Sequence, residues 1–300
     1  MNRIAKLPLR LSALLLGSVA IATAGMSQHD GRLFYSAGAI QLDGSQLSAS
    51  EIQIIDQDAQ SNVDRPFVAV IRESSVYDEL RKTIKTLPSR DSESFKKSAV
   101  IAAFLGERPT AGYSVDLTRL RNGHLALSET TPPKGTMLAQ IVTSPFRIYL
   151  VSLSDPEAQI ELELSGPWKQ AGQAFELTAG EFTMIGGFAG RQETFRLAGS
   201  LRFIRLGNIA SIIFAVESDG ATKARSLKTV GTGLINSNTN VRIPAFDAGT
   251  LINPPQPSLS ATGTLSSDNS KLTLNLQSTA SIVIADGYVG HGSLVSRAAR

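Results

Sequence analysis

Residues 99–115 read AVIAAFLGERPTAGYSV. Ala99 to Leu105 is an unbroken apolar run, the length and texture of a buried strand. Arg108-Pro109-Thr110-Ala111-Gly112-Tyr113 follows as a loop. Proline fixes φ there, Gly112 permits a backbone turn closed to other residues, and Thr110 can bond back to the chain, so the loop is expected to be stiff. Tyr113, Val115, Leu117 and Leu120 mark the next strand, with Ser114, Asp116 and Thr118 on its opposite face. Asn122-Gly123 is a tight-turn signal before a further strand at Leu125 to Ser128.

Working outward, Phe67 to Ile71 reads as a buried strand. Ser74 or Ser75 caps an expected helix running to about Leu87, because Val76, Leu80, Ile84 and Leu87 share one face. Pro88 ends it. On the other side, the loop Pro132-Pro133-Lys134-Gly135 leads into an expected strand at Met137 to Val142. A second rigid loop, Thr143-Ser144-Pro145-Phe146, opens the last strand, which ends at Leu153. Residues 64–154 thus predict a small α+β, sandwich-like domain with one helix.

From residue 155 to 300 no helical period is found. Ile160, Leu162 and Leu164 alternate with Glu161 and Glu163, and Leu272, Leu274 and Leu276 with Thr273, Asn275 and Gln277. Turn residues such as Ser266-Ser267-Asp268-Asn269-Ser270 punctuate these segments, and Ile252 to Pro257 reads as extended loop. The expectation is an all-β domain of sandwich or barrel type, and a mainly β chain. Gly166-Pro167-Trp168 resembles the Gly-x-Trp near the start of lipocalin barrels.

The chain has 300 residues, 42% hydrophobic and 18% charged, a globular composition. It contains no cysteine, which excludes disulfides, thiol nucleophiles, thiolate metal sites and lipid attachment to an N-terminal Cys. Arg3, Lys6 and Arg10, the apolar run Leu11 to Ala22 and the small-x-small exit Ala22-Thr23-Ala24 are the marks of a signal peptide at residues 1–24. Removing its three basic residues from the total of 29 leaves a number equal to the 26 acidic ones. Nucleic-acid binding is therefore not expected, nor is a membrane span after cleavage, and the expected location is periplasmic or secreted. Residues 25–63 form a polar, turn-rich N-terminal arm, with Ile52, Ile54 and Ile55 marking a short strand.

Chemistry-bearing constellations are sparse. The three histidines, His29, His124 and His291, share no metal-ligand spacing and read as solvated loop residues. Glu161 and Glu163 read as the wet face of a strand, and Gly186 to Gly190 and Gly231-Thr232-Gly233 as hairpin turns or bulges. No catalytic residue, metal or cofactor is expected. A cleft lined by Asp247, Trp168 or Tyr288 would point instead to a hydrolase or a carbohydrate-binding module on the β domain.

From about Val68 to Leu153 the order strand, helix, strand, Arg-Pro-Thr-Ala-Gly-Tyr-Ser-Val, then Thr143-Ser144-Pro145-Phe146, resembles the C-terminal domain of the PrcB family, subunits of secreted bacterial protease complexes. Ala111 stands where that family commonly has a second Gly. The resemblance implies a non-catalytic accessory role, binding or stabilising an envelope peptidase. Arg108, Pro109, Thr110, Gly112, Tyr113, Ser144, Pro145 and Phe146 would form the partner-binding edge. The same loop is similar to the Asn-Pro-Thr-Thr-Gly-Tyr loop of chagasin-type peptidase inhibitors, with Arg108 replacing Asn and Ser144 replacing an Arg. That likeness implies the alternative, a peptidase inhibitor.

Overall fold

The computed structural model describes residues 52–154, 158–186, 191–219, 225–252, 258–279 and 288–299. The expected signal peptide, His29, most of the arm, the glycines at 187–190 and the loop at 253–257 lie outside these residues.

The chain opens with β1 (Ile52–Asp58), β2 (Phe67–Ile71), α1 (Ser74–Thr83), α2 (Ser94–Lys97) and β3 (Ser98–Phe104). Next come β4 (Ser114–Arg119), β5 (Leu125–Thr130), β6 (Phe146–Ser152) and β7 (Leu162–Leu164). Strand β3 is buried along its whole length because it lies inside the antiparallel sheet β1-β6-β3-β2. Its apolar run, without alternation, is what burial on both faces requires. A second sheet, β4-β5-β7, covers it, with β4 and β5 joined by the Asn122-Gly123 turn, where Gly123 has φ +87°.

Three details depart from the sequence reading. Strand β1, read as part of the arm, pairs antiparallel with β6 and closes one edge of the sheet. Helix α1 ends at Thr83, with Ile84 already extended; its N-cap is Glu73, which makes no side-chain cap bond. The chain beyond turns back towards Pro88, held by Tyr77 Oη donating to the Pro88 carbonyl at 3.0 Å and Arg81 Nε to the Leu87 carbonyl at 3.2 Å. Ile84 and Leu87 stay buried without being helical. The segment Met137 to Val142 is not a strand, because no neighbouring strand pairs with it.

A 3-10 helix, Gly166–Gln170, leads into β8 (Gln173–Gly186), β9 (Arg191–Leu206), β10 (Ile209–Asp219) and β11 (Ser226–Ile235). Strands β12 (Asn240–Phe246), β13 (Leu259–Leu265), β14 (Lys271–Ser278) and β15 (Tyr288–Ala298) complete a closed barrel in which each strand pairs with the next and β15 returns to β8. Eight strands enclose an interior that side chains fill. Phe214 and Phe246 stack within its core, ring centroids 5.0 Å apart, and Leu272, Leu274 and Leu276 point inward from β14. Gly231 and Gly233, read as turn residues, sit instead within β11. A Cβ at Gly231 would lie 3.1 Å from the Phe214 ring, so the glycine makes room for the aromatic stack.

The small sheets pack on the outer wall of β9, β10 and β11. Ile204, Ile209 and Val230 point outward from those strands into the first hydrophobic cluster. The edge strand β2 meets β11, where Val70 N–H donates to Thr232 Oγ1 at 2.9 Å. Trp168, Ile160 and Ala171, on the approach to the barrel, belong to this same cluster. Among the described residues no helix is long and apolar enough to cross a membrane.

Candidate functional site

Tertiary pairing joins the two rigid loops. Arg108 N–H donates to the Thr143 carbonyl at 2.7 Å, and Thr143 N–H returns the bond to the Arg108 carbonyl at 2.9 Å. Thr143 Oγ1 donates to the Thr110 carbonyl at 3.1 Å. The turn into the first loop needs glycine, since Gly106 has φ +73° and a Cβ there would meet the Asp64 carbonyl at 2.8 Å. The result is one cross-braced edge.

Within that edge the expected contact residues divide. Pro109 and Gly112 are exposed, and Arg108, Thr110 and Tyr113 are half-buried. Arg108 Nε donates to Glu129 Oε1 at 2.6 Å in a pair largely withdrawn from water, and its guanidinium lies 5.8 Å from the Tyr113 ring centroid. A buried pair of this kind fixes geometry more than it adds stability. Beside Tyr113 lies a cavity of about 270 Å³ that Asp58 and Arg147 also line.

Ser144, Pro145 and Phe146 face inward instead. Ser144 Oγ accepts the Ser61 N–H at 2.7 Å, and Phe146 stacks on Phe104 with centroids 5.4 Å apart. These three residues hold the edge and do not display themselves, so the inhibitor-like arrangement lacks an exposed second loop. Their place on the surface is taken by residues the sequence reading assigned to a strand. Met137 is fully exposed, Ile141 54% and Val142 61%. One loop thus carries three exposed apolar side chains. Their apolar character suggested a strand, because a run of apolar residues looks the same whether or not a partner strand exists.

A second grouping was also missed. His124 lies between Glu161 (Nε2 to Oε2, 2.6 Å) and Glu163 (Nδ1 to Oε1, 3.3 Å). The cause is the parallel pairing of β5 with β7, which places the turn histidine beside two carboxylates on one face. Near them, at the end of β12, Asp247 Oδ1 accepts the Gly249 N–H at 2.7 Å, while Oδ2 is buried without a hydrogen-bond partner. Burial pushes this carboxyl above its ordinary value, and Glu161 adds to the rise; Arg72 and His124 oppose it. Trp168 and Asp247 are both buried, and the Tyr288 side chain is outside the described residues.

A carboxyl raised by folding favours the native state while protonated, and that contribution is lost as pH rises through its native pKa. Asp247→Asn is therefore expected to gain stability relative to the parent chain as pH climbs from the ordinary aspartate range through that raised value. Urea denaturation over a pH series measures it. A difference between the two proteins that does not change with pH would show that Asp247 is not the titrating group.

No curated protein and no solved structure matches the chain. The loop motif, the Thr143 strand start and the β3-to-β6 framework instead find their counterpart in one family model, described as PrcB C-terminal, which matches residues 99–151; this part of the chain is similar to PrcB C-terminal domains.

Proposed function

We propose that the chain is an exported, non-catalytic accessory protein that docks a protein partner, a peptidase of the bacterial envelope, on its 108–113 and 136–142 loops. The observation that carries this reading is the pair of bonds between Arg108 and Thr143, which sets exposed Pro109 and Gly112 beside the exposed apolar strap. Loops braced before binding lose little conformational entropy on docking, so they make an economical contact site. The PrcB C-terminal match supports association with a protease complex.

A photo-crosslinking residue placed at Met137, in the chain expressed in its own cells, is expected to capture one envelope peptidase. The adduct should fall about tenfold or more when Ile141 and Val142 are changed to Asp, a loss of the size expected for an interface anchor. A probe at Lys271, on the barrel, should not form it. Equal capture from both positions, or an adduct without peptidase activity, rejects the proposal. Since the strap is exposed, circular dichroism of the double variant should match that of the parent chain.

A further inference from the structure

Across the barrel from β10, which packs on the small sheets, strands β13, β14, β15 and β8 present a different surface. The ladder aligns Ser260 with Gln277, Gln277 with His291, and His291 with Thr183, a single rung running across β13, β14, β15 and β8. The next rung aligns Thr262, Asn275, Ser293 and Glu181. Both rungs lie on the outer phase of their strands, since Leu276 between them and Leu274 next to Asn275 point into the core. They line a cavity of about 390 Å³, within the range of small-ligand sites.

Two glycines lie on the inner side of this wall. Gly290 and Gly292 fall on the inner phase of β15, where a Cβ would meet the Phe182 ring at 2.5 and 2.7 Å respectively.

The hollow is lined by unused hydrogen-bonding capacity. Ser260 Oγ donates to the Gln277 carbonyl at 3.2 Å, and Thr183 Oγ1 lies 2.9 Å from Thr194 Oγ1. The side chains of Thr262, Asn275, Gln277, His291 and Ser293 make no hydrogen bond or ion pair among the described residues. Elsewhere on the outer wall Lys228 pairs with Glu217 at 2.6 Å. No lysine or arginine lines this cavity, which disfavours an anion, and Glu181 is its single carboxylate. Carboxamides and hydroxyls each donate and accept, matching a ligand whose own groups do both. Thr262 and Asn275 also line a neighbouring cavity of about 820 Å³ over β12, where Asn240, Asn236 and Asn208 stand beside Leu234, Glu79 and Arg242. At about 4.8 Å per strand, the β13-to-β8 wall alone is roughly 15 Å wide, longer than one sugar ring.

We propose that this wall is a binding track for a neutral oligosaccharide. Isothermal titration calorimetry of the purified chain with chitotetraose, cellotetraose and maltotetraose tests it. At least one is expected to bind with a Kd of about 1 mM or tighter, the range a handful of solvent-competed hydrogen bonds supplies. Asn275→Ala with Gln277→Ala should weaken that binding about tenfold or more. Both residues are exposed, so the fold should stand. If that variant melts early, Thr262→Val with Ser293→Ala takes its place and the same loss is expected. Silence of all three sugars, or unchanged binding by the folded variant, overturns the proposal. Neither outcome bears on the docking edge, which uses other residues.

Discussion

Replacing Trp168 with alanine is expected to destabilise the chain by about 4 kcal/mol, the middle of the range for removing a fully buried tryptophan. The indole is completely buried in the first cluster, and its Nε1–H donates to the Phe104 carbonyl at 3.0 Å and the Phe67 carbonyl at 3.2 Å. Those carbonyls belong to a facing pair on β2 and β3, so one side chain ties the 3-10 helix to both strands. Alanine leaves a void and two carbonyls without their indole donor. Phenylalanine refills most of the volume but makes no bond, and should lose about 1–3 kcal/mol. Trp168 is the chain's single tryptophan, so the measurement is urea denaturation followed by far-ultraviolet circular dichroism. A loss below about 1.5 kcal/mol for alanine would mean the site collapses around the gap and the plug is dispensable.

Phe214→Ala should cost a similar amount, about 3–5 kcal/mol, by opening the barrel core. Its ring lies 5.0 Å from that of Phe246 with planes 5° apart, and Gly231 packs beneath it. The partner experiment separates packing from general fragility. Gly231→Val alone should destabilise by about 1–3 kcal/mol, because new methyls meet both rings. Combined with Phe214→Ala it should restore part of the loss, because the methyls then occupy vacated space. Strict additivity of the two losses would show that the glycine is not there for the ring.

Legibility from the sequence tracked how local the governing physics was. Strands β3, β4, β5 and β6 and the Asn122-Gly123 turn were readable because burial pattern and φ requirements act over a few residues. Helix α1 was read too long because Ile84 and Leu87 keep their core positions after the backbone leaves the helix; burial alone does not distinguish the two conformations. The alternating leucines of β14 announced a half-buried strand, while the return of β15 to β8, a pairing that closes the barrel, has no local signature. At the braced edge, the stiffness of the 108–113 loop was legible in Pro109 and Gly112. The inward turn of Phe146 and the exposure of Met137 were not, since each depends on which distant segment lies alongside.

By itself the sequence determined a mainly β chain, a stiff loop with the residue order of PrcB C-terminal domains, and a chemistry without thiols. Those properties follow from composition, side-chain period and the dihedral limits of proline and glycine, all of which are fixed residue by residue. Tertiary structure alone decided which residues share a surface. It brought Arg108 to Thr143, set His124 between Glu161 and Glu163, and laid eight polar side chains in two rungs across four strands. Adjacency of that kind is set by strand pairing and register over long separations, which the compact state selects by burying apolar surface and satisfying backbone hydrogen bonds together.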